Sequence, residues 1–313
     1  MCHGERRLAL AGLLLFTLVP GLCQAPTGTI AGIVSDESGA AVPDAQVRIT
    51  NKATGVRRQV RPGIDGFYSA PLLPPGEYEI RVEARGFRAL IREATVTTGS
   101  TTTADLRLSV GALTEAVTVA AAAAQVSTDS HKIDGVITRE QIENLPLNGR
   151  SFLNLAALEP GITVTPATTA QYNAQFAVTI LGGAATRTSV NADGGNVRDR
   201  TTGNTSQNFS QEVVQEFQLS AVNFDLSTGI TSVGSINIVT RSGAQDYHGA
   251  GYFYFRDHNM AAYPALRRSA FNPDPFFARR SSGFWLGGPL KKDRLFFFFN
   301  LEHMNQDGVA TVQ

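Results

Sequence analysis

Cysteine is nearly missing from this chain: 313 residues carry two, Cys2 and Cys23. Both fall in an N-terminal stretch that reads as an export leader, so the mature chain has no thiol for a disulfide, a thiolate metal site or a nucleophile. Beyond the leader, no apolar run nears the roughly 20 residues that a membrane-spanning helix takes. Excess charge is missing too. Lys plus Arg (27) equals Asp plus Glu (27), which removes bulk attraction for nucleic acid. The five histidines, His3, His131, His248, His258 and His303, show no metal-ligand spacing. No Gly-rich phosphate loop or nucleophile elbow is present, so neither an enzyme nor a bound cofactor is expected. A helical membrane protein is excluded. A protein crossing with strands is not, because its hydropathy signal is weak.

The leader has Arg6 and Arg7, an apolar run Leu8 to Val19, and a small-residue cleavage site after Ala25, giving a signal peptide over 1–25. Pro26 directly after that bond leaves the cut position open. Lipoprotein processing at Cys23 is the alternative, and the bulky Leu22 before the cysteine fits it poorly.

Residues 26–111 alternate with period two, as a β-sandwich does. Ala45, Val47 and Ile49 share one face against Gln46, Arg48 and Thr50; Tyr78, Ile80, Val82 and Ala84 face inward against Glu79, Arg81 and Glu83; Ala104 to Val110 repeats the pattern. Asp36 to Gly39, Ile64 to Gly66 and Pro74 to Gly76 supply turns between them. Gly32-Ile-Val34, Gly39 to Ala45, Gly66-Phe-Tyr68 and Leu73 to Ile80 together resemble the carboxypeptidase regulatory-like domain. The resemblance implies a seven-strand sandwich of transthyretin/Ig-like type with no catalytic site. Its wider superfamily includes carbohydrate binders, yet Tyr68, Tyr78 and Phe87 are better placed as core than as a sugar platform.

Residues 112–126 form a linker, in which Glu115, Ala116, Val117, Thr118, Val119 and Ala120 are short, extended and β-branched. This segment resembles a TonB box, which would pair its backbone with the sheet edge of a periplasmic energy-coupling protein. The alternative is a last sandwich strand running into a linker, and the sequence leaves both open.

Residues 127–246 mix helix and strand. Thr138 with Gln141 makes a capping box, and Ile137 with Ile142 a hydrophobic staple, for a helix ending near Leu145-Pro146. Asn148-Gly149 turns the chain, and Ser151 is expected to cap a second short helix presenting Phe152, Leu153, Leu155 and Leu158. Val178 to Gly183 and Thr188 to Gly194 read as strands, and Ser210 to Phe217 as a helix with Glu212 near its positive end. Asn144 to Phe152 (NLPLNGRSF), Leu158 to Gly161, Asp193-Gly194 and Gln211 to Phe217 resemble the plug of Oar-like TonB-dependent receptors. Arg187, Asp193, Arg198, Asp199, Arg200 and Glu216 are then expected as ion pairs fixing a plug to a polar lumen rather than as catalytic groups.

Residues 247–313 follow the strand Gly234 to Arg241 and carry a ribbon of aromatics. Strands are expected at Gly249 to Asp257, Ser281 to Gly288 and Leu295 to His303, with a tight turn at Pro289 to Asp293 and a long loop on the other side. Phe253, Tyr254, Phe255, Phe284, Trp285 and Phe296 to Phe299 suit the aromatic girdles of a lipid-facing wall. Phe284 to Pro289 and Lys292 to Asn300 again resemble the Oar-like family.

The fold expected is mainly β: a sandwich, an α+β plug, and the first strands of an incomplete transmembrane β-barrel. The resemblance implies the N-terminal part of an outer-membrane receptor for energy-coupled uptake of a large or scarce solute, with carbohydrate, peptide and metal chelate all open. Its implied partners are a TonB-type periplasmic protein, outer-membrane lipid and an unknown solute, without nucleic acid. A plugged barrel takes about 22 strands, so three make the chain a fragment of a longer gene or the product of an early stop, the fragment being favoured. The rival from another class is a soluble periplasmic or surface module, built on the sandwich, that binds carbohydrate or protein.

Overall fold

The computed structural model describes residues 27–111, 116–119, 134–145, 150, 152–166, 176–199, 201–206, 209–221, 233–260 and 276–308. The leader, Asn148-Gly149, Ser151 and Arg200 lie outside these.

The sandwich forms as its alternation dictates. One sheet is centred on β1 (Gly28–Asp36), with β4 (Phe67–Leu73) antiparallel on one side. On the other side β7 (Thr101–Thr103) and β8 (Leu106–Leu108) run parallel to β1 as two halves of one interrupted strand. The facing sheet has the order β3 (Arg57–Val60), β2 (Gln46–Asn51), β5 (Gly76–Glu83), β6 (Ala89–Val96), β9 (Ala116–Val119). Counting β7 and β8 once gives the expected seven strands, with β9 as an eighth. Val47, Ile49, Ile80, Val82, Leu106 and Leu108 are fully buried between the sheets, which contributes about 2 kcal/mol per large aliphatic side chain. Tyr68 and Tyr78 are core residues, as expected. The Tyr68 hydroxyl meets its hydrogen-bond requirement by donating to the Ala104 carbonyl oxygen at 2.6 Å. Val110 departs from the pattern and is exposed: pairing with β1 ends at Leu108, and Val110 bridges to Phe87 instead.

A second core lies in the next unit. Its sheet runs β10 (Asp134–Ile137), β15 (Val214–Ser220), β16 (Gly234–Thr240), β13 (Thr188–Ala192), β14 (Gly195–Asn196). The helix α1 (Arg139–Asn144) starts at Thr138, whose N–H donates to Gln141 Oε1 at 2.9 Å as the capping box requires. Ile137 and Ile142 are both buried in this core. Phe152–Leu158 is a 3-10 helix burying Phe152, Leu153 and Leu155 but exposing Leu158. The hairpin of β11 (Ile162–Pro166) and β12 (Phe176–Ile180) stands beside it.

One element differs from expectation. The segment from Ser210 to Phe217 is not a helix; Val214–Ser220 is a strand antiparallel to β16. A register shift between Val214 and Glu216 marks a bulge, so Val214 and Phe217, three residues apart, both reach the core. Bulging an extended chain puts the i, i+3 spacing of a helix into a strand sequence. The β-branched Val213-Val214 pair favours the strand.

Three long strands follow: β17 (His248–Asp257), β18 (Phe277–Lys291) and β19 (Leu295–Gly308), of 10, 15 and 14 residues. They form one antiparallel sheet with a single irregularity at Pro289/Lys291. A membrane-crossing strand takes about 9–11 residues, so each is long enough. Both outer edges of this sheet are open among the described residues. No described helix is long and apolar enough to cross a membrane.

Candidate functional site: the inner face of the long strands

Alternation along the three long strands separates two chemistries. Phe253 and Phe255 on β17, Phe284 and Leu286 on β18, and Leu295, Phe299 and Leu301 on β19 are all exposed. Phe253 contacts Phe255 (centroids 6.2 Å apart), and Phe284 contacts Phe299 across strands (5.8 Å). Their neighbours in sequence turn the other way, onto the preceding sheet. Arg150 lies 3.9 Å from the centroid of Tyr254 and 5.1 Å from that of Tyr252. Arg241, directly after β16, lies 3.9 Å over Trp285 and 5.1 Å from Phe298. Ser210 Oγ and the Tyr252 hydroxyl both donate to Glu302 Oε2, at 2.6 and 2.7 Å. The sheet therefore has an apolar outer face and a polar, aromatic inner face that holds the second unit. A lipid-facing barrel wall has this division.

The aromatics expected as girdles thus split. Phe253, Phe255, Phe284 and Phe299 face outward. Tyr254, Trp285 and Phe298 face inward and take Arg150 and Arg241 from the second unit. The sequence marks the split in Tyr252-Phe253-Tyr254-Phe255: the rings with hydroxyls point in and the bare rings point out.

Glu212 is the charged centre of the inner side. It pairs with Arg150 Nη2 at 2.8 Å and Arg139 Nη2 at 3.0 Å, and all three side chains are largely buried. Burial pushes the Glu212 carboxyl up, but the bonds and charges of Arg150 and Arg139 outweigh it and hold it below its ordinary value. Arg139 also donates to the Gln211 and Val214 carbonyl oxygens at 2.8 and 2.9 Å, fixing α1 to the start of β15.

The residues expected as lumen ion pairs have these placements among the described residues. Asp193 accepts from the Thr240 N–H (2.9 Å) and hydroxyl (2.7 Å) at a left-handed turn. Arg198 donates to the Ala185 carbonyl oxygen at 3.2 Å, and Asp199 accepts from Thr201 and Thr202 within its own loop. Glu216 accepts from Thr98 of the sandwich. Arg187 is the last residue of a short 3-10 turn, Ala185–Arg187, directly before β13, and Arg200 is outside the described residues. Among the described residues, Arg150, Ser210 and Arg241 reach from the second unit to the inner face of the long strands. Arg150 and Glu212 lie 62 positions apart in the chain, so no local spacing announced them.

Of the candidate TonB box, Ala116–Val119 is β9 at the sandwich edge, parallel to β6 with Ala89 opposite Ala116 and Arg92 opposite Val119. Glu115 and Ala120 lie outside the described residues. No group of three or more His, Cys, Asp or Glu among the described residues could hold a metal ion.

Two family models match. Residues 29–109 match the carboxypeptidase regulatory-like domain, and residues 239–313 match an outer membrane beta barrel domain. The two matches bracket a mainly β chain, with a regulatory-like sandwich first and barrel-type strands last that do not close among the described residues. Among curated proteins, the chain is 27% identical over 291 residues to the TonB-dependent transporter Oar of Myxococcus xanthus. That match covers 88% of this chain and 26% of the relative, so the chain spans about a quarter of that protein's length. Among solved structures, the siderophore receptor PirA of Pseudomonas aeruginosa aligns with TM-score 0.39 and 21% identity, over 56% of this chain and 28% of that one. Catechol 1,2-dioxygenase from Pseudomonas arvilla C-1 aligns with TM-score 0.25 and 14% identity, over 29% and 54%.

Proposed function

We infer that this chain supplies the sandwich, plug and opening wall strands of a TonB-dependent outer-membrane transporter, one that takes up a large or scarce solute at the expense of an inner-membrane gradient. The observation that carries this reading is the two-faced sheet of β17–β19, apolar outside and joined to the plug inside through Arg150, Ser210 and Arg241. A plug held by hydrogen bonds and ring–cation contacts, instead of an apolar core, can move against its wall without exposing a large apolar surface. The similarity to the Oar transporter supports the same reading. Coupling is assigned to Glu115–Ala120, drawn by strand addition to a periplasmic partner. The rival soluble module leaves seven large outward side chains on β17–β19 in water, an apolar patch that soluble monomers rarely carry.

The test is capture by the purified C-terminal domain of the periplasmic coupling protein. The detergent-solubilised protein should be retained, and deletion of 115–120 should abolish retention while thermal unfolding of the sandwich stays cooperative. Undiminished retention of the deletion variant rules out the assigned segment.

A further inference from the structure

One end of the sandwich makes contacts that the transport reading leaves unused. The antiparallel register places Asn51 opposite Tyr78 and Gly76 opposite Val96, so the loops after β2 and after β6 leave from the same end. Both are stiffened before they meet anything else. Asn51 Oδ1 accepts from the Ala53 and Thr54 N–H groups at 3.0 and 2.9 Å. The hydroxyls of Thr97 and Ser100 bond each other at 2.7 Å, and Gly99 N–H donates to the Thr27 carbonyl oxygen at 3.0 Å.

The β6–β7 loop reaches the plug. Thr98 donates its N–H to Glu216 Oε1 at 2.7 Å and its hydroxyl to the same oxygen. Thr98 is 1% exposed and Glu216 5% exposed. Gly99 has φ +68°, a conformation that calls for glycine, and it packs against the Gln218 amide. Glu216 and Gln218 lie on the polar face of β15, opposite Phe217 and Leu219 in the core. The same face carries Asn191 and Asn237, bonded side chain to side chain at 3.1 Å.

The β2–β3 loop reaches the wall through one intermediary, Gln245. Gln245, in the connection from plug to wall, donates its N–H to the Ala53 carbonyl oxygen at 2.9 Å and its side-chain amide to the Thr54 carbonyl oxygen. That amide also donates to Asp293 Oδ1, in the turn between β18 and β19, at 2.8 Å.

We propose that this end of the sandwich is a clasp over the seam between plug and wall, joined to the plug through Thr98–Glu216 and to the wall turn through Gln245–Asp293. The plug cannot shift against the wall until the sandwich releases one of its two holds. The contacts are few and polar, so release exposes little apolar surface and the clasp is reversible. The coupling segment follows the sandwich and precedes the plug in the chain, so tension on it loads the clasp. The proposal rests on the reading of 127–246 as a plug seated against a wall.

Hydrogen exchange on the full chain in detergent micelles tests it, with Thr98→Val and Glu216→Ala each compared with the unsubstituted protein. Amides of 97–100 should exchange about tenfold faster in both variants, the size expected for losing one buried hydrogen bond, while those of β5 keep their protection. Unchanged exchange in 97–100 overturns the clasp. Equal loss of protection in β5 overturns it too, since Thr98 would then belong to the sandwich's own fold. Free exchange throughout β17–β19 in the unsubstituted chain refutes the wall itself, a failure that is read from different peptides.

Discussion

The guanidinium of Arg241 lies 3.9 Å over the ring of Trp285. One residue directly follows β16, the central strand of the second unit's sheet, and the other sits midway along the second long strand. Phe298, stacked on Trp285 at 5.9 Å, extends the platform. A desolvated arginine over tryptophan contributes about 1 to 2 kcal/mol. Trp285 is the only tryptophan in the chain, so tryptophan emission comes from this one site.

Arg241→Ala should therefore red-shift Trp285 emission and lower plug stability by about 1 to 2 kcal/mol in denaturant. Arg241→Lys should fall between the two, because an ammonium keeps the charge but not the flat stacking surface. An emission maximum unmoved by Arg241→Ala would show that the ring does not hold the plug.

Glu212 compensates two buried arginines, so its loss leaves both positive charges facing each other. Glu212→Ala should destabilise the plug by about 3 kcal/mol, the cost of stripping one partner from a buried pair. Glu212→Gln should cost less, since its amide oxygen still accepts one bond. Acid acts in the same direction as alanine. The folded-state pKa of Glu212 lies below its ordinary value, so its contribution is present above the ordinary carboxylate range and is lost as pH falls through the lowered value. Urea melts across that acid range, run on both proteins, measure the difference.

Sandwich and wall were legible in the sequence because each strand has one apolar side, and period two then fixes register and facing together. Tyr78, Ile80 and Val82 point inward as the pattern required, and the three wall strands lie where alternation put them, lengthened at their ends. Two things escaped. The bulge before Glu216 gave Val214 and Phe217 a helical spacing, so β15 read as a helix. The charged cluster of Arg139, Arg150 and Glu212 joins α1, the segment before the 3-10 helix and the approach to β15, and a long-range pairing of this kind leaves no mark on local periodicity. The expected ion pairs were sought among Arg187 to Arg200, where Asp193 and Asp199 instead shape turns.

The two faces of the wall can be told apart with a single ring. In the membrane-inserted protein, Trp285 should escape quenching by lipids brominated along their acyl chains. Moving the indole one position, by Trp285→Phe with Phe284→Trp, turns it outward and should bring strong quenching. Equal quenching of the two proteins would mean that β18 does not separate lipid from plug.

The last prediction concerns Glu216. Burial is the larger influence on its carboxyl and pushes it above its ordinary value, while the two bonds from Thr98 pull the other way without cancelling the rise. The docked carboxyl therefore binds a proton more readily than the free one. A raised folded-state value means a contribution fully present below the free value, about 4.3 for glutamate, and lost as pH climbs through the raised one. Protonation leaves the carbonyl oxygen able to accept from Thr98, so acid removes the cost of a buried charge without removing the contact. Protection factors for 97–100, which already correct for intrinsic exchange, should decline with rising pH in the unsubstituted protein and stay level in Glu216→Gln. A parallel decline in both would assign the pH dependence to another group and leave Glu216 a plain hydrogen-bond acceptor.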